Sequence, residues 1–140
     1  MNNRLLHTIV KMLLPVIIVY GIFIVLHGHL TPGGGFSGGA ILGTALVLYG
    51  LAFGQDASLK IFPESVSKYL ESGGVLAIVV IGLVGLFVGG YFLSNAATGV
   101  PLGTPGDLLS GGIIPLLMIA IGLKVGSTLM TLFNALLEDE

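Results

Sequence analysis

GGVLAIVVIGLVGLFVGGYFL, residues 73–93, carries no charged side chain from end to end. A run of this length matches the roughly 20 residues that an α-helix needs to cross a hydrocarbon core about 30 Å thick. Working outward, three similar stretches flank it: Leu5–Leu26, Phe36–Gly54 and Ile113–Leu137. Strands of a transmembrane barrel would be half as long and would alternate polar with apolar residues, and these stretches do neither. The expected fold is an all-α integral membrane protein, a single transmembrane domain over residues 1–140. Its four helices fall at roughly 5–26, 36–54, 73–93 and 113–137, with glycine-rich packing between them.

Composition points the same way. Hydrophobic residues make up 54% of the chain and charged residues only 9%. A soluble domain carries about a quarter charged residues, so this chain lacks the polar side chains to clothe a water-facing surface. Cysteine is absent, which excludes disulfides and thiolate metal sites. Tryptophan is absent too, so tyrosine and phenylalanine supply any aromatic belt. The net charge of −2 offers nothing to a nucleic acid, and no cofactor is implied. The N-terminal MNNRLLHTIVKMLLPV has no A-x-A cleavage site and reads as the start of a first membrane helix rather than a signal peptide.

The first span is tight, because only Met12 to Leu26 is uninterrupted. Either Lys11 snorkels to the interface or the corner after Leu26 dips below it. Pro15 removes a backbone bond and predicts a kink. Between the second and third spans, Pro63 reads as the first residue of a short surface helix, with Val66, Tyr69 and Leu70 on one face. Arg4, Lys11, Lys60 and Lys68 all fall at one end of this topology, and the positive-inside rule then places both termini in the cytoplasm. The expected location is the cell (cytoplasmic) membrane, crossed several times.

Glycines recur at helical spacing: Gly39, Gly43, Gly50 and Gly54; Gly82, Gly85 and Gly89; Gly122 and Gly126. Small residues let helix backbones approach closely in lipid, where apolar attraction between helices is weak. Close packing within the chain is the expected use, with part of this surface open to partner subunits.

Lys124 stands near the middle of the fourth stretch. A charge at that depth costs at least about 2.5–3.5 kcal/mol and usually faces a bundle interior or a wet cavity. The bland alternative is an early helix end with the lysine snorkelling. Thr128 and Thr131 share the face of Lys124, nearly opposite Gly122 and Gly126. The expectation is therefore a two-faced helix: glycines against the chain's own bundle, and Lys124, Thr128 and Thr131 toward an ion path or a partner subunit. With the third span beginning at Gly73, no carboxylate lies within any span to neutralise Lys124, which favours a partner from another chain.

The corner His27-Gly28-His29-Leu30-Thr31-Pro32-Gly33-Gly34-Gly35-Phe36 is the second candidate. Two histidines beside a flexible turn could relay protons near neutral pH, although two ligands do not make a zinc site. The structural alternative, a helix end followed by a glycine turn, is the stronger from physics alone. Gly35-Phe36-Ser37-Gly38-Gly39 matches G-x-S-x-G but lacks the strand–turn–helix context of a hydrolase elbow. Asp107 reads as a turn or capping residue, with cation access from the outer side as the alternative. Residues 138–140 read as a solvated acidic tail.

The segment HGHLTPGGGFSGGAI, residues 27–41, resembles the signature of the MnhB family, one of the small membrane subunits of Mrp-type multisubunit cation/proton antiporters. The likeness extends to chain length, the four spans and PLGTPGDLLSGGIIPLL at 101–117. It implies a small non-enzymatic subunit of a large assembly that exchanges cytoplasmic Na+ for external H+. Other subunits of such assemblies resemble the proton-pumping subunits of respiratory complex I. It also implies that His29, Pro32, Gly33, Gly34, Gly35 and Phe36, with His27 beside them, serve assembly or exchange. The partners implied are the other membrane subunits and the lipid bilayer, with Na+ and H+ as transported ions. Related subunits occur in membrane-bound hydrogenase-type complexes, which gives the alternative parent assembly. A self-assembling channel or intramembrane enzyme is the remaining class.

Overall fold

A computed structural model describes residues 3–95 and 98–138. The described residues form five helices: α1 Asn3–Leu26, α2 Gly34–Phe53, α3 Gln55–Ile61, α4 Glu64–Gly89 and α5 Ile114–Glu138. All except α3 are long and apolar enough to cross a membrane. Residues 139–140 of the expected acidic tail lie outside the described residues.

The four long helices stand in a row, in the order α1, α2, α5, α4, each packed chiefly on its neighbour. Helices α1 and α2 are antiparallel, with Gly21 against Leu42 near one end and the His7 ring tilted against Phe53 at the other. Helix α2 runs parallel to α5, with Gly35 at Met118, Gly39 at Gly122 and Gly43 at Gly126. Helix α4 returns antiparallel to α5, so that Ser67 meets Ser127 and Gly74 meets Ala120. The start of α1, the end of α2, all of α3, the start of α4 and the end of α5 therefore share one end of the bundle.

The centre of the bundle is made of backbone, not of large side chains. A Cβ on Gly39 would stand 2.5 Å from the carbonyl oxygen of Gly122, and one on Gly43 would stand 3.0 Å from that of Gly126. Val25 of α1 threads the gap between Gly38 and Gly122. The buried hydrophobic side chains are few: Val10, Val25, Ala45, Ile113, Ala120 and Met130. Meanwhile Met12, Val16, Val19, Phe87 and Leu136 are exposed. This inversion suits hydrocarbon surroundings, where close backbone approach rather than apolar burial drives helix association.

Three boundaries differ from expectation. Pro63 does not start a separate surface helix; it sits in extended conformation at the N-cap of α4, which runs unbroken from Glu64 through Gly73. The short helix between the second and third spans is α3, nine residues earlier at its start than Glu64. The polar turn Glu71-Ser72 and the glycine pair after it argue locally for a break, but packing overrides them. Gly74 admits the Ala120 carbonyl and the Lys124 stem, a contact worth having only in a continuous helix. At its far end α4 stops at Gly89 rather than Leu93, because Gly90 takes the left-handed conformation that ends helices. The chain then folds back along the Gly82–Gly85 stripe, with the Phe92 ring against Gly82 and the Leu93–Ser94 backbone against Gly85. That stripe packs on a returning segment, not on another helix.

Lys11 keeps its ammonium 5.7 Å from the Phe53 ring centre, at the C-terminal end of α2. The aromatic face and the exposed carbonyls of the helix end both favour a cation there.

Candidate functional site

The polar residues of α4 and α5 face each other along one seam. Ser67, wholly buried, donates from its hydroxyl to the Ser127 carbonyl at 2.9 Å and lies 2.7 Å from the Thr131 hydroxyl. One turn further on, the Thr128 hydroxyl donates to Glu71 Oε1 at 2.9 Å, and it also lies 2.8 Å from the Lys124 carbonyl. Beyond that, the Lys124 stem packs on Gly74. On α4 the seam residues are Ser67, Glu71 and Gly74; on α5 they are Lys124, Ser127, Thr128, Thr131 and Asn134. Both sets recur every three or four residues, which puts each on a single helix face.

This arrangement corrects one expectation about Lys124. A carboxylate does lie inside a spanning helix: the early start of α4 brings Glu71 into the third span, level with Thr128. On that face Thr128 and Thr131 meet the chain's own α4 through Glu71 and Ser67, while Thr128 also lines a cleft beside Lys124. Lys124 itself is half-buried and lines a mostly apolar cleft of about 190 Å³ with Phe36, Ala40, Val125, Thr128 and Leu129. Glu71 and Lys124 form no ion pair among the described residues; Lys68–Glu64, at 3.6 Å on the exposed end of α4, is the pair that does. Thr128 thus stands between an acid and a base within one helical turn. Lys124 is ten residues into α5, about 15 Å from its start at 1.5 Å per residue. That is half the thickness of a hydrocarbon core.

The seam continues toward the end of α5. A cavity of about 160 Å³ opens there between Glu64, Ser67, Lys68, Thr131, Asn134 and Ala135. Asn134 is 4% exposed, and its side-chain carbonyl oxygen has no hydrogen-bond partner.

At the opposite end, the His27–Phe36 corner is a packed turn. The His27 ring stacks on Phe23, with Nδ1 3.0 Å from the Phe23 carbonyl. Gly33 and Gly34 have φ of 132° and 68°, a backbone closed to most side chains, and they deliver Gly35 against α5. There the Gly35 amide meets Met118 Sδ at 3.1 Å, and a Cβ on Gly35 would collide with the Met118 carbonyl. Phe36 is exposed, Pro32 is exposed, and Ser37 bonds to the Gly34 carbonyl within its own turn.

His29 and Asp107 come together, but through the backbone. His29 Nε2 lies 3.4 Å from the Asp107 carbonyl, while its Nδ1 is buried without a partner. The Asp107 carboxylate accepts from Thr104 and its carbonyl from the Ser110 hydroxyl, the pattern of a turn residue. The loop is fastened by Asn95, which donates to the Gly111 carbonyl at 2.9 Å and accepts from the Ile113 amide at 2.9 Å. Among the described residues there is no cluster of three metal-ligating side chains.

Sequence reasoning does not single out Glu71, Ser67, Asn134 or Asn95. The first three do carry a signal: polar residues at three- and four-residue spacing on two apolar helices. Asn95 carries none, because its two bonds reach 16 and 18 residues along the chain through a loop.

Four helices long and apolar enough to cross a membrane, packed through glycine with a polar seam between α4 and α5, define a multi-pass membrane protein. Comparison with known proteins makes this specific. Residues 5–131 match the family described as "Domain related to MnhB subunit of Na+/H+ antiporter", and the chain belongs to that family. It is 42% identical over 119 residues to an uncharacterised protein of Methanocaldococcus jannaschii, an alignment covering 81% of this chain and 44% of the relative. It is 34% identical over 94 residues to the B subunit of a Na(+)/H(+) antiporter of Alkalihalophilus pseudofirmus, covering 67% of this chain and 65% of that one. Among solved structures, a chain of the membrane-bound sulfane sulfur reductase, an archaeal respiratory membrane complex, superposes with a TM-score of 0.79 at 39% identity. That match covers 94% of this chain and 56% of the solved one. The chain thus spans about half to two thirds of the length of these relatives.

Proposed function

We propose that this chain is one membrane-embedded subunit of a Mrp-type cation/proton antiporter, needed for its assembly and for exchange of cytoplasmic Na+ against external H+. The family match along nearly the whole chain carries this reading. The polar seam gives it a residue-level form. Lys124, Thr128 and Thr131, now joined by Glu71, are the ion-handling group. The half-buried ammonium of Lys124 faces the Phe36–Leu129 cleft, where a neighbouring subunit or water supplies its counter-charge. His27, His29, Pro32, Gly33, Gly34, Gly35 and Phe36 act in assembly, by holding the corner against Met118 and presenting Phe36 outward. The exposed, Thr104-bonded carboxylate of Asp107 supports a turn role over cation access. The bundle end bearing Arg4, Lys11, Lys60 and Lys68 faces the cytoplasm, following the positive-inside rule.

The likeness to a chain of a respiratory membrane complex favours a second reading, in which the same packing role is played inside a redox-linked assembly. Tagging this chain in its native membrane, purifying what holds to it and identifying the partners decides between them. Further antiporter subunits and loss of Na+-dependent proton exchange on deletion support the first reading. Redox subunits support the second. Recovery of the tagged chain alone, with exchange intact in the deletion strain, refutes both.

A further inference from the structure

We propose that the cavity between Glu64, Ser67, Thr131 and Asn134 is a water-filled vestibule that joins the aqueous phase at this end of the bundle to the Ser67–Thr131 hydroxyl pair, one turn short of Glu71. Asn134 is the residue that demands it. Its carbonyl oxygen is a strong acceptor, its side chain is almost wholly buried, and no protein donor reaches it. Leaving such a group dry is costly. The cavity that Asn134 lines is both roomy and polar enough to hold water. At about 160 Å³ it exceeds several-fold the ~10–15 Å³ that one water needs. Its lining offers the Glu64 carboxylate, the Ser67 and Thr131 hydroxyls and the Asn134 amide, and a buried water needs two to four such partners.

The vestibule has an inner and an outer end. Outward it reaches the first turn of α4, where Glu64 and Lys68 are exposed and pair loosely. The Lys68 side chain is 70% exposed there. Inward the hydroxyls continue the line of polar groups: Ser67 and Thr131 lie 2.7 Å apart, and one turn beyond them Thr128 donates to Glu71. The ionisable groups facing this line are Glu64, Lys68 and Glu71 from α4 and Lys124 from α5. Water in the vestibule comes within about one helical turn, roughly 5 Å, of the Thr128–Glu71 bond. This deepens the reading of Glu71 and Thr128 as ion-handling residues and brings solvent within a turn of them on one side.

The absence of cysteine from the chain makes the test direct. Thr131→Cys, Ala135→Cys and the outward-facing control Leu132→Cys are introduced singly into the assembled complex in native membranes. Each is treated with a small membrane-impermeant cationic thiosulfonate, and modification of this chain is followed by mass. The vestibule requires Thr131→Cys and Ala135→Cys to react about tenfold or more faster than Leu132→Cys, since charged reagents avoid hydrocarbon. Asn134→Leu in the Thr131→Cys background must slow that reaction. If Thr131→Cys does not assemble, Ala135→Cys decides, because its side chain lines the cavity without joining the hydrogen bonds. Cavity cysteines no more reactive than Leu132→Cys overturn the proposal, whether the cause is a dry cavity or a covering partner. Labelling is read without transport, so it stands or falls independently of the exchange activity proposed above.

Discussion

Replacing Gly39 by alanine adds one methyl group at the closest approach of α2 and α5, and the structure sets its cost. The new Cβ would lie 2.5 Å from the Gly122 carbonyl oxygen, 2.9 Å from Gly122 Cα and 3.0 Å from Val125 Cβ. Two of these are backbone atoms of a packed helix and cannot swing aside. Real Cβ atoms essentially never approach closer than 3.0 Å, so the helices must part by about 0.5 Å at the crossing. A gap of that size forfeits roughly a quarter of each dispersion contact along the interface, and overpacking of this kind costs about 1–3 kcal/mol. Gly73→Ala is the matched control: it lies in α4, and nothing stands within 4 Å of the added Cβ. There the substitution removes a flexible glycine from a helix interior and gains up to about 1 kcal/mol. Thermal unfolding in mild detergent, followed by circular dichroism, reads both variants. Gly39→Ala should melt several degrees below the parent and Gly73→Ala at or above it. Equal melting of the two variants would refute the claim that backbone contact at Gly39–Gly122 holds the bundle together.

Ser67→Ala removes the hydroxyl that ties α4 to the Ser127 carbonyl and to Thr131. Interhelical hydrogen bonds in membranes are worth about 0.6 and at most about 1.7 kcal/mol, so a smaller melting shift than that of Gly39→Ala is expected in the same assay. Asn95→Ala frees the Gly111 carbonyl and the Ile113 amide together. It should cost about 1–2 kcal/mol and make the 98–112 loop cleave faster under limited proteolysis, which gel or mass analysis would detect.

Much of this fold is legible in the chain itself, because the strongest signals are long. Four apolar runs predict four spans, and the glycine spacings on α2 and α5 predict close helix packing; which glycines meet, Gly39 with Gly122 and Gly43 with Gly126, comes from the structure. What misleads is local polarity. Glu71-Ser72-Gly73-Gly74 looks like a loop joining a helix, yet a buried partner supplies what those residues need: Thr128 for Glu71, and the Lys124 stem for Gly74. That single boundary hides an acid bonded to Thr128, one turn from Lys124. The stripe Gly82–Gly85 is legible as a packing surface, but its partner is not. Nothing in a periodicity says whether a helix or a returning loop will fill it.

Participation of the Glu71–Thr128–Lys124 group in exchange, rather than only in packing, is tested most directly by Na+-driven collapse of an imposed proton gradient. Everted membrane vesicles carrying Glu71→Gln or Lys124→Ala serve for this, with the quantity of assembled complex measured in the same membranes. Complex at normal levels is expected, with exchange lowered by about tenfold or more, a loss of about 1.4 kcal/mol or greater. Exchange at the parental rate in both variants, with assembly intact, would contradict that role.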